Sequence, residues 1–306
     1  MPRYLPIALL ALLAGLTLLG GCTRLPDVGV TTLKPDTLNQ LGDELVGKKA
    51  DFDLFRSRGP YEVTVHEDFE IRLSTTESIN SDLILSRHQE SAPLVIFLHG
   101  FDSSKEDHTY QAMHLASWGM HCLSLQMPNQ GPWVANGKTL AKLVSFISRW
   151  PEIVDNRIDL KKIILVGHSF GAASVAVALA ERAPAIGGIL LDPAAISRDL
   201  PSYLGRIRKP VMLIRADEQV FEARNRDYFY RYVPRGVAEL SIRGAGHEDA
   251  QYPFRFALGT DEQQLAFLST LTAAAVSLAT TGDFDYAWTS FGDGIRSGKF
   301  FDAKKK

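Results

Sequence analysis

Gly167, His168, Ser169, Phe170 and Gly171 set a serine between two glycines, each two residues away. Ile163, Ile164, Leu165 and Val166 lead into this turn, and the small residues Ala172, Ala173, Ser174, Val175 and Ala176 leave it. An apolar strand entering and a small-residue helix leaving describe a serine forced into a strained bend. Side chains in place of the glycines would meet the strand or the helix. The hydroxyl of Ser169 is then expected at the top of a sheet, near the positive end of the following helix, where a nucleophile is useful. A serine nucleophile needs a base. Of the eight histidines only His247 follows Ser169, and Gly244, Ala245 and Gly246 before it form a turn able to carry an imidazole back over the sheet. Its expected work is to take the serine proton and return it to a leaving group.

The base needs an acid to orient it, and two strand ends offer one. Asp192 follows Ile189, Leu190 and Leu191; Asp217 follows Leu213, Ile214, Arg215 and Ala216, with Glu218 and Gln219 next. Asp192 also reads as a cap of the segment after it. Two backbone N–H groups must face the negative oxygen of an acyl-transfer intermediate. Phe170, directly after the serine, is expected to supply one. Phe101 is expected to supply the other, after Leu94 to Leu98, His99 and Gly100. His99 and His168 are read as structural, one holding that loop and one packing beside the nucleophile. Phe101, Met127, Pro128, Trp133 and Phe170 could line an apolar substrate pocket, with Phe101, Met127 and Trp133 as the substrate-binding set. Glu248 and Asp249 beside His247 lack a second histidine at ligand spacing, so neither a metal nor a cofactor is expected.

Short apolar runs mark the strands that must carry these groups: Leu94 to Leu98, Met120 to Gln126, Ile163 to Val166, Ile186 to Leu191, Val211 to Arg215 and Ala238 to Ile242. Runs without polar alternation suit strands covered on both faces. Helical patterns fall between them, over His108 to Trp118, Leu140 to Trp150, Ala172 to Arg182 and Ala223 to Tyr232, and an amphipathic stretch runs from Glu262 to Ala279. The alternation implies an α/β fold with a mostly parallel, doubly wound sheet flanked by helices. Val63 to Leu73 and Leu83 to Leu85 suggest a hairpin before it. The connection from Asp192 to Val211 holds Pro193, Pro201 and Pro210 and is too short for a large helical lid.

The chain of 306 residues is 45% hydrophobic, enough for a full core. Its 33 basic and 35 acidic side chains leave a net charge of −2, so no field for nucleic acid is expected. Lys304, Lys305 and Lys306 read as a solvated tail. Arg3, then an apolar run from Ile7 to Leu19 and the small residues Gly20 and Gly21 before Cys22, read as a signal peptide over 1–21, being short for a membrane span. Leu19, Gly20, Gly21 and Cys22 resemble a bacterial lipobox, which implies a lipid on Cys22 and a protein held on a membrane. Thr23 in place of aspartate resembles a lipoprotein sorted to an outer membrane. The expected organisation is a leader over 1–21, a lipidated tether over 22–59 and a catalytic domain over 60–306. The only other cysteine, Cys122, reads as a buried inert thiol.

Gly167 to Gly171, Gly188-Ile189-Leu190-Leu191-Asp192 and Ile242-Arg243-Gly244-Ala245-Gly246-His247 resemble stretches of platelet-activating factor acetylhydrolases of the plasma type and their bacterial lipase and polyester-hydrolase-like relatives. The likeness runs from about Pro93 to Phe267. It implies an α/β-hydrolase fold without a large lid, and a triad of Ser169, Asp192 and His247. Asp217 stays the alternative acid. The stretch Pro193, Ala194, Ala195 departs from that pattern and weakens any transfer of substrate. Hydrolysis of carboxylic esters, small or presented on a surface, is the expected function. An amidase or peptidase with the same triad, and a non-catalytic binding lipoprotein, are the alternatives.

Overall fold

The structure is a computed structural model that describes residues 52–87, 90–128, 133–195, 197–217, 227–253 and 261–306. The expected leader, Cys22 and most of the expected tether lie outside the described residues, as do Glu218 and Gln219.

Among the described residues nine strands form one sheet: β1 (Val63–Arg72), β2 (Ser78–Ser86), β3 (Ala92–Leu98), β4 (His121–Gln126), β5 (Ile158–His168), β6 (Gly187–Leu191), β7 (Val211–Ala216), β8 (Val237–Ile242) and β9 (Phe300–Lys305). Their spatial order is β1-β2-β4-β3-β5-β6-β7-β8-β9. The strands from β3 to β8 pair in parallel, while β1, β2 and β9 add antiparallel edges. The chain leaves β3 toward β4 on one side and returns to β5 on the other, so the winding reverses there. Loops leaving the carboxyl ends at such a reversal diverge and open a crevice. The turns after β3 and β5 are the ones expected to hold Phe101 and Ser169.

β3, β6, β7 and β5 from Ile163 onward are buried on both faces because helices cover each. On one face lie α1 (Glu106–Ser117), α6 (Asp261–Thr281) and α7 (Asp285–Arg296); on the other lie α2 (Trp133–Arg149), α3 (Ser169–Ala180), α4 (Leu200–Leu204) and α5 (Tyr228–Tyr232). Val95 and Phe97 of β3 point to the first core, Leu94, Ile96 and Leu98 to the second. The doubly wound α/β expectation holds. The connection between β6 and β7 carries only the five-residue α4 among its described residues.

Three expectations are corrected. The tether was taken to run to residue 59, yet Phe52–Arg56 form a helical turn packed on α6. Phe55 is fully buried there, its ring 5.0 Å from that of Trp118. His114 Nε2 donates to the Phe55 carbonyl at 3.0 Å, and the Gly59 N–H donates to Ser117 Oγ at 2.9 Å. Lys304 to Lys306 are not a free tail: β9 pairs antiparallel with β8, and Lys304 Nζ reaches the buried Glu239 Oε1 at 3.0 Å. Glu239 also takes Arg215 Nε at 3.1 Å. The stretch Glu262 to Ala279 is not amphipathic in use, since residues 266–279 are all buried in α6. The 52–56 turn and α7 cover the side that would otherwise face water. This helix is long and apolar enough to cross a membrane, but it serves here as a core helix.

Candidate active site

β5 ends at His168, and Ser169 begins α3 with φ 54°, a left-handed conformation that costs a non-glycine residue energy and marks a functional turn. The glycines around it have the expected steric reason. A Cβ on Gly167 would lie 2.5 Å from the Gly171 carbonyl oxygen, and one on Gly171 only 2.3 Å from the His99 carbonyl oxygen. The elbow is thus pressed against the end of β3. Gly100 continues this contact, for a Cβ there would lie 2.9 Å from Ser169 Cβ.

His247 follows β8 and a turn in which Gly244 has φ +72°. Its Nδ1 donates to Asp192 Oδ2 at 2.5 Å, since a carboxylate can only accept. With the proton on Nδ1, Nε2 is the ring nitrogen with a lone pair. Burial opposes charging this ring, but the hydrogen bond and charge of Asp192, with a contribution from Glu248, raise its pKa above the ordinary value. Asp192 has φ 36° at the end of β6; its Oδ1 accepts the Ala216 N–H at 3.1 Å and its own N–H donates to the Ile214 carbonyl at 2.7 Å.

Asp217 occupies a different place. Its Oδ2 accepts the Gly244 N–H and its N–H donates to the Ala245 carbonyl, each at 2.9 Å. It ties down the turn that carries His247, while Asp192 meets the imidazole itself. The two strand-end acids are separated by this geometry.

His168 and His247 stack with ring centroids 4.6 Å apart. His168 Nε2 donates to the His247 carbonyl at 3.1 Å, and its Nδ1 accepts from Gln251 Nε2 at 3.2 Å. Burial first, then the positive potential of His247, pushes the His168 pKa well down, so this ring stays neutral. Gln251 Nε2 also donates to Ser103 Oγ at 3.0 Å, joining the loop after β3 to His168 in the elbow. His99 holds the same loop: its Nδ1 donates to the Gly100 carbonyl at 2.8 Å, and its Nε2 accepts the Met127 N–H at 3.3 Å. Sequence reasoning missed Gln251 and Ser103. Nothing in their local pattern marks them, because the bond between them spans 148 positions.

Ser169, His247, Gly100 and Phe101 open onto one cleft of about 380 Å³. Phe101 is 62% exposed at its mouth, edge-on to Phe170 at 6.2 Å. Of the substrate-binding set only Phe101 lines the cleft. Met127 is buried with its N–H on His99, and Trp133 backs Phe170 at 5.8 Å. Cys122 is buried, and burial pushes its thiol pKa well up, as suits an inert group.

No curated protein matches the sequence. Residues 95–292, more than half of the chain and the span holding Ser169, Asp192 and His247, match the model of the alpha/beta hydrolase family. A parallel sheet wound in both directions, with a strained serine at the switch point of that sheet, agrees with the match. The chain belongs to the alpha/beta hydrolase family and is a hydrolase of that fold.

Proposed function

We propose that the protein hydrolyses carboxylic esters through an acyl-enzyme, with Ser169 as nucleophile, His247 as general base and Asp192 as the acid that orients it. The Nδ1–Oδ2 contact of 2.5 Å, in a cleft that also contains the left-handed Ser169, carries this reading. As Ser169 Oγ adds to the carbonyl carbon, its proton passes to His247 Nε2. The N–H groups of Phe170 and Phe101 receive the resulting oxyanion. Collapse breaks the bond to the alcohol, which leaves with the proton from the imidazolium. Water then repeats the addition, releasing the acid and restoring the serine.

The resemblance to platelet-activating factor acetylhydrolases and their bacterial relatives favours esters over amides. The short connection after β6 supports an open site for short or surface-presented acyl groups. Reading Cys22 as lipidated, with a leader over 1–21, puts the catalytic domain on the bacterial cell envelope, held at an outer membrane. Turnover of p-nitrophenyl esters of increasing chain length, with Ser169→Ala as control and matched amides beside them, tests the proposal. Expected are hydrolysis of short esters, none by the variant, and a fluorophosphonate adduct at Ser169. No adduct would favour a binding protein; faster cleavage of the amides would make it an amidase; a sharp preference for acyl chains beyond about C12 would overturn the open site.

A further inference from the structure

α1 follows the loop that carries Phe101 and also reaches the turn that carries His247. Two of its side chains, one helical turn apart, bind one segment each. Asp107 Oδ2 accepts Ser103 Oγ at 2.7 Å and the Ser104 N–H at 2.9 Å, just past Phe101. Gln111, fully buried, donates from Nε2 to the Ala250 carbonyl at 2.8 Å, at the end of the helical turn His247–Ala250. The His247 carbonyl at the start of that turn accepts from His168, so the turn is held at both ends by buried side chains of other elements. A carbonyl can only accept, so the amide of Gln111 must turn its NH2 to Ala250 and its oxygen away. His108 meets that oxygen: its Nδ1 lies 2.7 Å from Gln111 Oε1 and therefore carries the proton. Burial pushes the pKa of His108 down to about 4, so the ring is neutral and Nε2 holds a lone pair. That nitrogen is buried without a hydrogen-bond partner, a cost that an apolar side chain would avoid. The ring packs between Phe97, at 5.9 Å, and His168, at 5.8 Å, and its hydrogen bond is the one to Gln111.

We propose that Gln111 is a positioning residue for His247, with His108 fixing the direction of its amide, so that α1 holds the Phe101 loop and the His247 turn in one register. This rests on the ester-hydrolase reading and adds to it two residues that do not line the cleft. The oxyanion donor and the proton acceptor act on the same carbonyl group and must be in place together. A misplacement on the order of 1 Å, caused by a change far from the reacting atoms, can cost about 10²-fold in rate. The unpaired nitrogen of His108 is then the consequence of the one tautomer that orients Gln111.

Gln111→Met in the intact chain keeps the length of the side chain and removes the donor. On a short p-nitrophenyl ester its kcat should fall at least about tenfold with KM nearly unchanged. The rising limb of its kcat/KM against pH should also move to lower pH, as His247 draws away from Asp192. A second pair of variants asks for the same bond from the other side. His108→Asn can put an NH2 where Nδ1–H stands and should keep kcat within about threefold of wild type. His108→Leu has no donor and should lose what Gln111→Met loses. If Gln111→Met fails to fold, the His108 pair decides. Wild-type kcat and an unmoved limb in a folded Gln111→Met would overturn the proposal, as would equal rates in His108→Asn and His108→Leu. Equal changes in kcat and KM with an unmoved limb would mean a general loosening and would overturn it too. Each of these results leaves ester hydrolysis by the wild type standing. No turnover of any ester by the wild type would remove both readings.

Discussion

Replacing Asp192 by asparagine isolates the charge that the proposed chemistry needs. The amide oxygen can keep the bond to the Ala216 N–H, which Asp192 Oδ1 accepts at 3.1 Å. The other arm becomes an NH2 and cannot accept from His247 Nδ1, where Oδ2 stands at 2.5 Å. The ring then gains by taking the other tautomer, with its proton on Nε2 facing Ser169, where it cannot act as a base. The imidazolium formed during acylation also loses its counter-charge. With charge centres about 4 Å apart and an effective dielectric of about 20, that loss is ~4 kcal/mol, or about 10³-fold in kcat/KM. Its pH profile carries a second signature. Only neutral His247 accepts a proton, so the rising limb of kcat/KM should lie above the ordinary imidazole pKa in the wild type. Asp192→Asn leaves burial acting against a reduced opposition, so the limb should move to lower pH. The stabilisation due to the raised pKa is complete below the unfolded value and is lost as pH rises through the folded one, so the variant should lose most stability in acid. Asp217→Asn keeps an oxygen for the Gly244 N–H and should lose less than about tenfold. Initial rates on a short p-nitrophenyl ester from pH 5 to 9, for both variants, check this. A larger loss in Asp217→Asn, or an unmoved limb in Asp192→Asn, refutes the assignment.

Gly171→Ala forces a Cβ to within 2.3 Å of the His99 carbonyl oxygen and 2.5 Å of that of Leu98, so the ends of β3 and β5 must part; a loss of about 1–3 kcal/mol is expected, read as a lowered Tm. Phe55→Ala should cost about 3–5 kcal/mol in urea unfolding, since the ring is fully buried against Trp118; an unchanged midpoint would mean that the 52–56 turn is not part of the folded unit. Gln251→Ala releases Ser103 and His168 together, so kcat should fall about tenfold with little change in KM, whereas equal changes in both would point to a general loosening. Cys22→Ser should abolish incorporation of a palmitate analogue and release the protein from membranes; retention would overturn the anchor proposal.

The elbow was legible because its strand, glycines and helix adjoin in sequence. The glycines at 167 and 171 are demanded by backbone atoms of neighbouring segments, and an apolar strand and a small-residue helix adjoin them in sequence. The carboxylate partner of His247 was only half legible. Asp192 and Asp217 stand alike at the ends of adjacent strands, and pairing of Leu191 with Ile214 and of Ala216 with Ile242 decides which carboxylate meets the imidazole. Sequence spacing contains no such register. The terminal lysines were misread for a related reason: a charged triplet resembles a solvated tail until β8 and the buried Glu239 are placed beside it. Met127 and Trp133 were read from their apolar character alone, which core and pocket share. In the structure they stand behind the cleft, as supports of His99 and Phe170.

The two stacked histidines show how the site keeps one titration out of the way of another. Rings 4.6 Å apart would repel strongly if both were charged. Full burial keeps His168 neutral, and its bonds to the His247 carbonyl and Gln251 use both nitrogens in a single tautomer. His247 instead has Asp192, whose charge outweighs the burial of its ring. His168 can therefore hold the backbone of His247 without competing for its proton. As pH falls the pair gains charge first in the ring of His247, which lines the same cleft as Ser169.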